Sequence, residues 1–179
     1  MESRQVNILS NNGIQIDTSV TPGIDWSITG AQDYTNFISD PYYLDSSDFS
    51  LKGDSSILEI PCSIKPGVSF FGLERGRYAN AILRRLNLTS KWLRPSPNIN
   101  SSDLIDVCNF GIDNFSFLNL MTHSSEFRPG CSPFWSDEDS VDLLFLQLEE
   151  IFTFWNDVGV ESMTLKEFKD HYDSNLKAS

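Results

Sequence analysis

Apolar side chains recur at three- and four-residue spacing in one stretch above all others. Val141, Leu144, Phe145, Leu148, Ile151, Phe152 and Trp155 make one helical face, with Ser136 as cap and Asp137, Glu138 and Asp139 in the first turn. Gly159 ends that helix, and Val160 to Met163 reads as a short strand. Thr164-Leu165-Lys166-Glu167 is a capping box opening a last helix.

Upstream, residues 2–11 predict a short helix stopped by Asn11-Asn12-Gly13, and Ile14 to Asp17 alternates as a strand does. Pro22 and Gly23 break a loop from Thr18 to Trp26, and residues 27–55 read as a long irregular surface segment. Ile57 to Ile64 predicts a strand that Pro61 confines to an edge or an end. Val68 to Phe71 predicts a second short strand, and residues 77–86 have helical spacing. Two prolines bar regular helix from Trp92 to Pro97. Ser101 or Ser102 caps a helix running to about Asn109, with Gly111 past its end. Phe117 to Thr122 is an apolar run suited to a buried strand, and it ends at His123. The alternation favours an α/β layer with a mainly parallel sheet.

Composition narrows the functional classes. Apolar residues at 40% mark a globular chain, and a net charge of −12 disfavours nucleic acid and anionic membrane surfaces. No apolar stretch approaches the roughly 20 residues that span a bilayer, and the start has no signal-peptide pattern. Three cysteines without a Cys-x-x-Cys pair fit a reducing, cytoplasmic location with mostly buried thiols.

Few residues are candidates for chemistry. His123 directly follows the apolar run and opens the polar loop Ser124-Ser125-Glu126, where α/β folds present site residues. Asp17 closes a strand, and Asp25-Trp26 stands beyond a Pro-Gly turn, where an indole can stack on a sugar ring. His171 lies among charges in the last helix and reads as solvated. Ser124 lacks a Gly-x-Ser-x-Gly elbow, and the two histidines lack metal-ligand spacing.

Three stretches together resemble the NodB-like polysaccharide deacetylases, in the branch linked to lipopolysaccharide and cell-surface glycan biosynthesis. They are Gly13 to Pro22 with Asp25-Trp26, then Leu118 to Glu126, then Ser132-Pro133 with the acidic-capped helix and Val160 to Phe168. The resemblance implies an α/β fold: a partial distorted (β/α) barrel lacking its N-terminal strands, with residues 1–179 as a single C-terminal part and a loosely matching excursion at about 30–115. It implies hydrolysis of N-acetyl groups on a glycan, with zinc in the complete domain. His123 would be the general acid toward the leaving amine, Asp17 or Asp25 the aspartate that tunes it, and Trp26 a wall of the substrate pocket, with Asp25 and Glu126 as further substrate contacts. The family's Thr-Phe-Asp-Asp pair and His-Ser/Thr-x-x-x-His motif are missing from the 179 residues. The expectation is therefore a truncated or split half that is inactive alone, binds no metal by itself, and associates with an N-terminal half-domain or with itself. The alternative is a non-catalytic carbohydrate-binding or structural protein derived from the same fold.

Overall fold

The structure is a computed structural model and describes residues 3–67, 89–115 and 117–178. The strand expected at 68–71 and the helix expected at 77–86 lie outside these residues. The fold is mixed α/β, with small sheets and, among the described residues, four α-helices and no closed barrel. The chain divides into two compact units, residues 1–62 with 149–179, and residues 63–148.

The first unit begins with α1 (Ser3–Asn11). Gly13, at φ 76°, turns the chain out of it, and the Ile14 amide reaches back to the Leu9 carbonyl at 3.1 Å. A three-stranded sheet follows, in the order β1 (Ile16–Asp17), β3 (Leu58–Glu59), β2 (Tyr42–Tyr43). β3 runs parallel to β1 and antiparallel to β2, so the sheet is mixed rather than mainly parallel. β3 is the central strand, and Pro61 falls beyond its end, where no ladder bond is needed from it.

The segment 27–55 is not confined to the surface. Tyr42, Leu44 and Phe49 are buried with Val6 and Ile57, while Tyr34, Phe37 and Ile38 pack against them. Its apolar residues are spaced irregularly, so no periodicity signals the burial. The last helix, α4 (Leu165–Ala178), belongs to this unit and opens with the expected box: the Thr164 amide donates to Glu167 Oε2 at 2.7 Å, and the Glu167 amide to Thr164 Oγ1 at 3.2 Å. Residues 160–163 form no strand; from Glu161 on they are exposed and have no apolar surface to cover.

In the second unit, β4 (Ile64–Lys65) and β5 (Lys91–Trp92) pair antiparallel. Against them packs α2 (Ser101–Asn114), through Leu104, Val107, Cys108 and Gly111. Asn100 caps this helix, accepting from the Asp103 amide at 2.8 Å, so the cap is one residue earlier than Ser101. Gly111 lies within the helix instead of past it. A Cβ there would run into the Leu118 side chain, which explains a glycine in a helix interior. Residues 117–122 are extended but form no ladder. The Asn119 carbonyl accepts from the Ser63 amide and its amide donates to the Ser63 hydroxyl, while the Met121 amide donates to the Leu93 carbonyl, on the flanks of the β4–β5 pair.

The long helix α3 (Glu138–Asp157) is capped by Asp137, not Ser136: Asp137 Oδ1 accepts from the Ser140 amide at 2.9 Å, and the Asp137 amide donates to Ser140 Oγ at 3.1 Å. Val141, Leu144 and Leu148 cluster with Trp135, and Ile151 is also buried. Phe145 and Phe152 were expected on that face, yet each is half exposed. Gln147, by contrast, lies on the buried side of the helix. It is buried and bonds the Ser96 amide and the carbonyls of Ser96 and Ile99.

Candidate functional site

In the first unit the sheet register sets a row of three ionisable residues. Asp17 on β1 and Tyr42 on β2 both pair with Glu59 on β3. Residues directly opposite across a sheet share a face, so the three side chains are neighbours. Glu59 has 0% exposure. Its Oε1 accepts from the Val20 amide at 3.0 Å, and its Oε2 has no partner among the described residues. Burial first, and then the charge of Asp17, pushes the Glu59 carboxyl up to about 8 against the opposing Val20 bond. Burial thus favours the neutral form of this carboxyl.

Asp17 is half-buried and accepts from the Thr18 amide and the Ser19 hydroxyl, each at 2.9 Å. Tyr42 donates to the Phe49 carbonyl, and burial together with the Glu59 and Asp17 charges holds its phenol well above its ordinary range. Trp26 is partly exposed, and its indole N–H donates to Thr21 Oγ1 at 2.8 Å. Asp25 is exposed and accepts from the Ser27 amide. Asp17, Asp25 and Trp26 thus lie on one segment that returns onto Glu59 at Val20.

In the second unit, His123 is exposed at the head of a short 3-10 turn, Ser124–Phe127. Glu126, inside that turn, was expected to meet substrate. It is only 1% exposed, and its carboxylate is taken. Oε1 receives the Arg94 guanidinium, and Oε2 receives the Thr122 hydroxyl at 2.8 Å and the His123 amide at 3.4 Å. Burial alone would raise this carboxyl; the bonds from Thr122 and Arg94, with the Arg94 charge, outweigh it and hold Glu126 below its usual range. Arg94 also lies over the Trp92 and Phe134 rings, 5.4 Å from each centroid. The site value of Glu126 is thus to fix the backbone that carries His123.

No family model matches the chain, and no curated protein or solved structure is significantly similar to it.

Asp17, Asp25 and Trp26 belong to the first unit, and His123 and Glu126 to the second. His171 is an exposed residue of α4 beside Asn175. Sequence reading missed Glu59 and Arg94. Glu59 had a signal, a lone acid inside the apolar run Ile57-Leu58-Glu59-Ile60; Arg94, between Leu93 and Pro95, had none. Among the described residues no group of three or more His, Cys, Asp or Glu side chains is placed to hold a metal ion. The Asp17–Glu59 pair offers two carboxyls, short of the three protein ligands of a catalytic zinc among the described residues.

Proposed function

We propose that the chain is the late part of a NodB-like polysaccharide deacetylase domain, cytoplasmic and directed at a cell-surface glycan under synthesis, and that His123 is its general acid. The observation that carries this reading is the mounting of His123. An exposed imidazole follows an apolar run, on a turn locked by a buried, triply bonded carboxylate. A proton donor to a leaving amine needs that combination of access and fixed geometry. The three resembling stretches support it in order along the chain. In this reading the domain is part of a distorted (β/α) barrel, the base and metal ligands come from an N-terminal half-domain, and the chain associates with that half or with a second copy. Zinc belongs to the complete domain, and the role assigned to His123 does not depend on this chain holding it.

The test is acetate release from an N-acetylglucosamine oligomer. The chain alone should release none. Supplemented with a half-domain carrying the aspartate pair and the His-Ser/Thr-x-x-x-His motif, it should release acetate, and His123→Ala should cut the rate by about 10²–10⁴-fold. Stoichiometric zinc and full activity in the lone chain would sink the half-domain reading.

One observation favours a second reading, a carbohydrate-binding module without hydrolysis. Trp26 is partly exposed with its indole pinned to Thr21, the arrangement of a fixed stacking platform. Under that reading Trp26→Ala weakens binding of a glycan oligomer in titration calorimetry; unchanged affinity rules it out.

A further inference from the structure

Glu59 is a carboxyl buried at the centre of the first unit's sheet, and no role in deacetylation requires it. Its geometry is unusual for an acid. It lies on the central strand with 0% exposure, flanked in register by Asp17 on one side and Tyr42 on the other. One oxygen takes the Val20 amide, and the other has no partner among the described residues. An ionised carboxylate with an empty oxygen in that position would bear an uncompensated buried charge.

We propose that Glu59 is a proton-held latch: while its carboxyl is protonated, the segment that carries Asp17 and Trp26 stays closed over the central strand at Val20, and loss of the proton, which leaves a charge buried opposite Asp17, loosens that segment. Among the described residues the surroundings show no cation to replace the proton. β1 contributes Asp17, an anion. β2 contributes Tyr42 and the segment before it Tyr34, both phenols held above their ordinary range, by burial first and then by the charge of Glu59. Residues 6–11 of α1 carry no ionisable side chain. On α4, Lys169 and Asp173 are engaged with Tyr43, which pairs with Leu58 in the alternate row of the sheet.

The linkage has a definite sign. A carboxyl whose folded pKa lies above its unfolded value binds its proton more tightly in the folded state. The contribution of Glu59 to stability is then largest below about 4.5, the ordinary glutamate value, and is lost as pH rises from there to about 8, levelling off above. This inference is independent of the deacetylase reading.

The experiment is an NMR pH titration of the full chain with ¹³C-labelled glutamate, alongside melting curves of wild type and Glu59→Gln. The Glu59 Cδ resonance should titrate several pH units above the exposed glutamates, and the Val20 amide should shift with the same midpoint. Asp17→Asn should lower that midpoint. Glu59→Gln keeps an acceptor for Val20 and carries no charge, so its melting temperature should exceed that of wild type by several degrees at pH 8 and match it near pH 4. A Glu59 midpoint in the ordinary glutamate range overturns the proposal, and this readout stands even if the variant fails to fold. Stabilisation by millimolar Mg²⁺ or Ca²⁺ that Glu59→Gln abolishes would also overturn it, since the empty oxygen would then be a cation ligand.

Discussion

At the scale of single residues, the second unit shows how a polar neighbour of a candidate site can serve it indirectly. Glu126 was legible as part of a polar loop beginning at His123, and its burial was not, because burial depends on Arg94, more than thirty positions earlier in the chain. The pair has a testable cost. Arg94→Met leaves a buried carboxylate without its cation, and such a loss typically costs about 3–5 kcal/mol. Urea unfolding at pH 7 should show a loss near the lower figure, since Arg94 keeps some exposure. Glu126 has a folded pKa below its unfolded one, so the stability it contributes is present above the ordinary glutamate range and is lost as pH falls through the folded value. The difference between wild type and Arg94→Met should therefore shrink toward pH 3. A difference independent of pH would mean that Arg94 acts through its packing on Trp92 and Phe134 instead.

Among the elements, helices were far more legible than strands. α1, α3 and α4 each carry a local signal: Gly13 after the first, acidic residues at the start of the second, a Thr-x-x-Glu box at the third. Strands of two residues have no periodicity to read, and their pairing is decided by partners far off, such as Ile16 with Leu58. Even helix ends shifted where two capping residues stand side by side. Ser136 and Asp137 both suit an N-cap, and Asp137 takes the role because its carboxylate meets the Ser140 amide while Ser140 returns a bond to the Asp137 amide. Asp137→Ala should thus lower the denaturation free energy by about 1 kcal/mol, whereas Ser136→Ala should change it by less than about 0.5 kcal/mol. Equal losses from the two would return the cap to Ser136.

At the scale of the whole molecule, the net charge of −12 is very unevenly divided. The first unit carries 16 Asp and Glu against 5 Lys and Arg, and the second carries 9 against 8. Charge counts from the sequence cannot reveal this, because the first unit joins the two ends of the chain around a middle that is nearly neutral. A strongly negative unit favours proton retention on its carboxyls, and Glu59 sits at its centre. Burial and surface charge then separate by their response to salt. The field of exposed carboxylates is screened over about 8 Å at 0.15 M ionic strength, while the cost of burying a charge is not. Raising NaCl from 0.02 to about 0.5 M should lower the Glu59 midpoint by a fraction of a pH unit, through the screened part. It should leave the midpoint well above the glutamate range, because burial is the largest cause. The same salt should raise the melting temperature at pH 7 by relieving repulsion among the exposed acids of this unit. A midpoint that falls all the way to ordinary glutamate values in high salt would show that surface charge alone holds the proton, and that Glu59 is open to water.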